Sequence, residues 1–266
     1  MFRRAWVLLI LAISMALGGV SLHAEKKEET AAASALTLRN YGHAFIYLIT
    51  STGVRIAIDP YAESSALTYK FPVQLPADVV LISNETLDHD GSIRLSGSPQ
   101  IFSSVTAIGL NNARGLLFRG VPTFPSRNDE VHGITNAAFT FTLDGIHFCH
   151  LGAIGHPLTP TQRAQIGSVD VLFLPVGTPN LNPAELAKIV EDTGARIIIP
   201  IAYRTKYSAD MKLRSLQEFF AGLPSKPLVK DLKGSAELSL KPADLPEKPT
   251  YYLLPVVQMV DEDDAQ

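Results

Sequence analysis

The chain has 266 residues, a formal net charge of −3, and 46% hydrophobic against 18% charged residues. This is the composition of a globular protein of one or two domains, and it lacks the excess of basic residues that nucleic-acid-binding proteins carry. The single cysteine, Cys149, excludes an intramolecular disulfide and a zinc site built from several thiolates.

The first 24 residues have the pattern of a targeting segment. Arg3 and Arg4 precede an apolar run over residues 5–20, which is shorter than the roughly 18–20 residues of a membrane-spanning helix, and the small residue Ala24 follows. This pattern predicts a secretory signal peptide over residues 1–24, with a retained membrane anchor as the alternative. We therefore expect a secreted or periplasmic protein that has no membrane contact after cleavage.

The rest of the chain is predicted to form one domain over residues 35–258. The charged and alanine-rich residues 25–34 predict a mobile segment before it, and the acidic residues 259–266 predict a solvated tail after it. Runs of β-branched and aromatic residues predict strands within the domain. In chain order these are Leu36–Arg39, Ala44–Thr50, Val54–Asp59, Val79–Ser83, Ala137–Leu143, Ile146–His150, Val169–Pro175 and Arg196–Ile201.

Helices are predicted between the later strands. Thr159 begins a short helix that runs to Ile166, and Asn182 begins a longer one that ends at Gly194. A third helix is predicted over Leu213–Ala221. Asp144-Gly145, between two strands, predicts a hairpin turn. A β-rich first half followed by alternating strands and helices indicates a mixed α/β fold.

The loop after Val79–Ser83 is the first candidate for chemistry. Asp88, His89 and Asp90 follow this wholly apolar strand, and the ends of buried strands commonly carry the sites of α/β proteins. These side chains could hold a metal ion or perform acid–base catalysis. Acidic residues and histidines are also common in solvated turns, so the loop alone leaves both interpretations open.

Several short motifs occur in a fixed order between residues 38 and 205. They are Tyr41–Ala44, Ile56–Pro60, the loop at residues 79–92, Asp144-Gly145 with His150–His156, Asp170–Leu172 with Pro175–Gly177, and Ile199–Tyr203. In this order they resemble the metallo-β-lactamase superfamily, in particular its lactonase-like branch of small metal-dependent hydrolases. The resemblance implies a four-layer αββα sandwich in which two mixed sheets are flanked by helices.

The resemblance also implies that the metal site is degenerate. Of the family's seven metal-ligand positions, only Asp88 and His89 carry a matching residue. The other positions fall on Asn84, Thr86, Pro125, Ala153 and Ala202. Imidazole and carboxylate are the usual zinc ligands besides thiolate, so these five residues are not expected to bind a metal ion.

The leading interpretation is therefore a secreted, non-catalytic homologue without a cofactor. It would bind a small molecule or a protein partner in the former active-site cleft. The positions of the lost ligands would line that cleft together with Asp59, His156 and Tyr203. The resemblance assigns Asp59 to a carboxylate that orients the ligand loop through hydrogen bonds.

Two alternatives remain open. In the first, Asp88 and His89 hold one zinc or manganese ion with help from His156 or His132, and the protein hydrolyses a lactone, an amide or a phosphoester. A third donor close to Asp88 and His89 would favour this alternative. In the second, the protein is a purely structural or interaction protein of the cell envelope, and the cleft is filled by packed apolar side chains.

Overall fold

Two β-sheets pack face to face in the computed structural model, which describes residues 35–129, 133 and 135–257. The predicted signal peptide, the segment before the domain, the acidic tail and His132 lie outside the described residues. None of the helices in the described part is both long and apolar enough to cross a bilayer.

The strands are, in chain order, β1 (Leu36–Gly42), β2 (Phe45–Ile49), β3 (Arg55–Ile58), β4 (Val79–Ile82), β5 (Gln100–Ser103), β6 (Gly109–Ala113), β7 (Leu116–Thr123), β8 (Asn136–Leu143), β9 (Ile146–His150), β10 (Val171–Pro175), β11 (Ile197–Ile201), β12 (Leu228–Asp231), β13 (Glu237–Leu240) and β14 (Thr250–Leu253). One sheet has six strands in the order β13-β1-β2-β3-β4-β5. The other has eight, in the order β12-β14-β11-β10-β9-β8-β7-β6. Within the described residues, the strand at each end of a sheet pairs with one other strand only.

The core lies between the two sheets. Val79 and Leu81 of β4 pack there against residues of the other sheet such as Val171 and Phe173 of β10. The alternate residues of β4 and β10 are buried as well, on the outer faces of their sheets. This burial on both faces explains why the two strands are continuously apolar, as the sequence predicted for β4.

The helices cover the outer face of the eight-stranded sheet. They are α1 (Pro160–Ile166), α2 (Pro183–Thr193) and α3 (Leu216–Ala221). The first two start with the predicted caps, Thr159 and Asn182, whose side chains accept hydrogen bonds from the third residue of the helix, and α2 ends at Gly194 with φ +67°. Cys149 is buried beneath them, and burial raises the pKa of its thiol to about 12.

Loops and short 3-10 turns, rather than α-helices, cover the outer face of the six-stranded sheet in the described part of the chain. Tyr61 and Phe71 from the segment between β3 and β4 pack on Phe45, and Tyr69 of the same segment packs between Tyr61 and Tyr207. Aromatic rings bury a large apolar area with few degrees of freedom, so this cluster fixes the segment without regular secondary structure.

The predicted α/β fold with two packed sheets is confirmed. The eight predicted strands and three predicted helices are all present, with ends displaced by up to three residues. Asp144 and Gly145 form the predicted turn, with φ of +49° and +79°. Six strands were missed, namely β5, β6, β7, β12, β13 and β14.

An ion pair joins the start of β3 to the start of β4. The Arg55 guanidinium donates two hydrogen bonds to the Asp78 carboxylate, at 2.8 and 2.9 Å, and the Arg55 amide donates a third at 2.9 Å. The Arg55 side chain lowers the pKa of Asp78 to about 2 from an ordinary value of 3.8. The charged form of Asp78 therefore stabilises the fold.

We expect Asp78→Asn to lower the free energy of unfolding at pH 7 by about 1 kcal/mol, since the pair is partly exposed. Because the pKa of Asp78 is lower in the folded than in the unfolded chain, this contribution is complete above pH 3.8 and is lost as pH falls through about 2. Urea unfolding of both proteins between pH 7 and pH 2 measures it. A difference that stays constant down to pH 2 would contradict the assignment.

Candidate metal site

Three strained backbone positions lie directly after the ends of strands from both sheets. His43, Asp59 and Ala202 come directly after β1, β3 and β11, with φ of +50°, +51° and +49°. Non-glycine residues rarely adopt this conformation because Cβ crowds the backbone. The Ala202 amide donates to the His43 carbonyl at 2.8 Å, so two of these positions hold each other. Such strain concentrates at functional sites, which makes this end of the sheets a candidate.

The side chains of His43, Asp88 and His89 meet at this end. One donor atom from each lies within 4.8 Å of the others. Oδ2 of Asp88 is 3.3 Å from Nε2 of His43 and 3.7 Å from Nε2 of His89. The two imidazoles are only 2% and 4% exposed, whereas the Asp88 side chain is 31% exposed. The cluster therefore opens to solvent on the Asp88 side.

Asp59 fixes the orientation of His89. The Asp59 carboxylate is fully buried and accepts hydrogen bonds from the Ser83 amide and hydroxyl, both at 2.6 Å. It also lies 2.8 Å from Nδ1 of His89, which places Nε2 as the nitrogen on the Asp88 side. Gly152 makes room for this arrangement, because a Cβ there would lie 2.2 Å from the Ser83 hydroxyl.

The carboxylates and imidazoles of the cluster shift one another's pKa values. Burial opposes the imidazolium form of His89, but the charge and hydrogen bond of Asp59 outweigh it and raise the pKa of His89. Burial likewise opposes the charged form of Asp88, yet the contacts with His43 and His89 hold the pKa of Asp88 below its usual range. Burial lowers the pKa of His43, so this imidazole is neutral at pH 7.

His43 is the residue whose environment points most directly to a missing ligand. Among the described residues, Nδ1 of this imidazole has no hydrogen-bond partner, and Nε2 contacts Asp88 at 3.3 Å. Leaving a buried polar atom unsatisfied costs about 1–3 kcal/mol, so such atoms are rare without a function. Two imidazoles and one carboxylate also form a common set of three protein ligands for a catalytic metal ion. The residues present therefore fit a single metal ion.

His43 was not predicted to bind a metal ion, although it lies in the motif Tyr41–Ala44. The third donor was expected at His156 or His132. His43 lies far from Asp88 along the chain, and it joins the cluster only because β1 and β4, which precede these two residues, end at the same edge of one sheet. The one available signal was a histidine within the four residues between the predicted strands Leu36–Arg39 and Ala44–Thr50.

The structure places Asn84 and Thr86 in the loop that carries Asp88. The Asn84 amide donates to the Thr135 carbonyl at 2.8 Å, and its oxygen accepts from the Thr86 amide at 3.1 Å. Thr86 is exposed, and its side chain hydrogen-bonds Asp88. Both residues thus shape the loop around the cluster.

Pro125, Ala153 and His156 have structural contacts. The Pro125 carbonyl accepts from Asn180, and the Ala153 amide donates to Asn136. Nε2 of His156 accepts from the Phe124 amide at 3.1 Å, and Nδ1 lies 2.8 Å from the Pro157 carbonyl. With both ring nitrogens engaged, His156 lines a separate cavity of about 580 Å³ beside α1.

Ala202 and Tyr203 follow β11. Ala202 is buried and hydrogen-bonds the backbone of His43, as described above. Tyr203 is half-buried and packs on the core beneath the helices, and burial raises the pKa of its hydroxyl. His150 is also engaged at both nitrogens, by the Ala44 carbonyl and the Gly152 amide, each at 3.1 Å.

Comparison with known proteins agrees with this architecture. Residues 37–202 match the family model of the beta-lactamase superfamily domain. A solved structure from Thermotoga maritima, assigned to the metallo-beta-lactamase superfamily as a zinc-dependent hydrolase, is 28% identical with a TM-score of 0.65. The similarity covers 82% of this chain and 97% of that one.

The curated relatives share the family name UPF0173 metal-dependent hydrolase. A UPF0173 metal-dependent hydrolase of Thermococcus kodakarensis is 30% identical over 189 residues, which are 62% of this chain and 83% of the relative. A UPF0173 metal-dependent hydrolase of Thermococcus onnurineus is 27% identical over 63% of this chain and 84% of its own length. The chain therefore belongs to the beta-lactamase superfamily, within its UPF0173 family of metal-dependent hydrolases.

Proposed function

We propose that this protein is a metal-dependent hydrolase with a single-metal site formed by His43, Asp88 and His89. The observation that carries this proposal is the meeting of three donor atoms within 4.8 Å, two of them on buried imidazoles. The relatives are named metal-dependent hydrolases, which supports the same function. Zinc and manganese are the candidate ions, since both accept imidazole and carboxylate ligands.

Several residues of the chain would have distinct roles at the metal site. A bound divalent ion supplies a Lewis acid that polarises a substrate oxygen and makes water more acidic. Asp59 holds the His89 ring in place through Nδ1, and burial keeps His43 neutral so that its nitrogen can donate electrons. Asp88 borders the only solvent-exposed part of the cluster, so substrate would arrive on its side.

The substrate would carry a bond that water cleaves at a carbonyl or phosphoryl centre. A lactone, an amide and a phosphoester all meet this description, and each gains from a Lewis acid at the reacting oxygen. The signal-peptide pattern of residues 1–24 supports a location outside the cytoplasm. We therefore place this activity in a secreted or periplasmic protein.

A second candidate function is ligand binding without catalysis, with a small molecule or a protein as the partner. The observation that favours it is the use of the Asn84 amide to hold its own loop, together with the absence of metal-binding side chains at Pro125, Ala153 and Ala202. These positions would then form a binding cleft from which a metal ion has been lost.

Metal content separates the two candidates. We expect the purified protein, loaded with excess zinc or manganese and desalted, to retain about one ion per chain by elemental mass spectrometry. His43→Ala and Asp88→Asn each remove one of three donors, so both should lose most of this metal. His147→Ala serves as the matched control, because His147 is an exposed histidine of β9 outside the cluster.

Retention of metal by all variants would contradict the assignment of the ligands. Protein without metal in every sample would instead favour the non-catalytic candidate. If the ion is retained, hydrolysis of a panel of lactones, amides and phosphoesters by the loaded protein should depend on His43. Turnover that is unchanged in His43→Ala would place the reaction elsewhere.

Asp59→Asn tests the positioning of His89. The amide can still accept from the Ser83 backbone, but it removes the charge that holds the His89 ring. We expect metal affinity, measured by competition with a chelator, to fall about 10- to 100-fold. The free energy of unfolding in urea should also fall by about 3 kcal/mol or more, because a buried charge pair loses one partner.

Asp170→Asn is the control for this experiment, since Asp170 accepts a hydrogen bond from the His147 amide and lies outside the cluster. Its metal affinity should equal that of the unmodified protein. An Asp59→Asn protein that folds and binds metal with unchanged affinity would show that Asp59 does not position the ligand.

A further inference from the structure

A cavity of ligand-binding size lies on the outer side of the eight-stranded sheet. It has a volume of about 370 Å³ and is bordered by Leu223–Leu228 and Lys248–Pro249, together with Val190 of α2 and Tyr251 of β14. Pockets that bind small molecules in proteins measure roughly 300–1,000 Å³. We refer to this space as the α2/β14 cavity.

The walls of the α2/β14 cavity are mostly apolar and conformationally restricted. Three of the bordering residues, Pro224, Pro227 and Pro249, are prolines, whose rings fix the backbone angle φ. Gly222 allows the end of α3 to approach α2 closely, since a Cβ there would lie 2.6 Å from Cγ of Pro183. A cavity with such walls loses little conformational freedom when a ligand enters, which favours binding.

Tyr251 contributes a hydroxyl group that has no partner within the protein. The residue is only 5% exposed, and its ring contacts the rings of Phe219 and Phe220 at centroid distances of 5.8 and 5.5 Å. Among the described residues, none hydrogen-bonds this hydroxyl. Burial raises its pKa to about 12, so it is protonated at neutral pH and can donate. Buried tyrosine hydroxyls usually have a partner, and a ligand in the cavity would supply one here.

Two lysines at the border of the cavity give it a positive charge. Lys226 and Lys248 are exposed, and within the described part of the chain neither ammonium group pairs with a carboxylate. The carboxylate of Glu191 also borders the cavity, but it pairs with Lys188 at 2.9 Å. Ammonium and hydroxyl donors around one space favour an anionic group, because hydrogen bonds to a charged acceptor are the stronger ones.

We propose that the α2/β14 cavity binds a medium-chain aliphatic carboxylate. The apolar walls would bury the hydrocarbon chain, and the carboxylate would accept hydrogen bonds from Lys226, Lys248 and Tyr251. Its two oxygens offer about four acceptor positions, which suffice for three donors. The flexible stems of the two lysines allow their ammonium groups to reach one carboxylate.

The volume of the cavity limits the length of the ligand. A space of about 370 Å³ equals that of about twelve water molecules at about 30 Å³ each, and a methylene group is similar in size to a water molecule. One chain of medium length fits this space, whereas the two long chains of a phospholipid do not. A free carboxylate is therefore favoured over a membrane lipid.

This cavity is separate from the metal cluster. Tyr251 pairs with Ile198 of β11, and Ala202, which bonds His43 at the metal end, lies four residues further along. At about 3.3 Å per residue, roughly 13 Å of strand separates the two positions. Carboxylate binding here is thus independent of the proposed hydrolase function.

Calorimetric titration of the purified 266-residue protein with decanoate tests the proposal. The titration is carried out in EDTA, so that the carboxylate cannot bind a metal ion at the other site. We expect one site per chain with a dissociation constant of about 1–100 µM. Decanol, which has the same chain without the charge, should bind at least about tenfold more weakly.

Variants separate the charges from the hydroxyl. Lys226→Gln with Lys248→Gln should raise the dissociation constant at least about tenfold. Lys230→Gln is the matched control and should bind decanoate like the unmodified protein, since the Lys230 ammonium lies over the Tyr252 ring at 4.8 Å and does not border the cavity. Tyr251→Phe should weaken binding about 3- to 10-fold and leave unfolding in urea unchanged, because the lost hydroxyl has no protein partner.

The absence of saturable binding up to about 1 mM decanoate would overturn the proposal. Equal affinity for decanol, or an equal loss of affinity in Lys230→Gln, would overturn it as well, since neither result is compatible with a carboxylate held at this border. Co-sedimentation with phosphatidylglycerol vesicles that decanoate does not displace would assign the surface to a membrane instead of a free carboxylate.

Discussion

The buried carboxylate of Asp59 is the interaction on which this end of the protein depends. It joins the end of β3 to the loop after β4 through Ser83, and it holds the ring of His89. An isolated buried carboxylate is strongly unfavourable. This one is stabilised by two hydrogen bonds from Ser83 and by its interaction with His89, whose pKa the Asp59 charge raises. The contact with His89 therefore has two effects: it offsets the cost of burying Asp59, and it orients the ring of a candidate metal ligand.

Backbone strain and a buried polar side chain occur together at His43. His43 combines a left-handed backbone with a buried Nδ1 that has no hydrogen-bond partner among the described residues, and each feature alone costs free energy. The neighbouring core, in which Val79, Leu81 and Phe173 pack between the sheets, supplies enough stability to hold the turn in this state. A site that is costly in the absence of its ligand and surrounded by a rigid frame is preorganised for that ligand.

Local signals in the sequence were sufficient for much of the fold. The caps at Thr159 and Asn182, the turn at Asp144-Gly145 and the buried strand at residues 79–82 all depend on neighbouring residues, and all were predicted. β6 and β12 were missed because their residues are mostly exposed and lack the apolar pattern of a strand. Asp88 and His89 were found from their loop, whereas His43 was not, because its role arises from the pairing of distant strands.

The hydrogen bonds around the cluster connect the loops that surround it. Amide side chains make these bonds: Asn84 holds the segment at Thr135, and Asn136 holds Ala153 and Leu151. These bonds are buried or partly buried and are formed by protein groups alone. The loops are therefore held by the chain itself, whereas small domains that fold only with their metal depend on the ion for this.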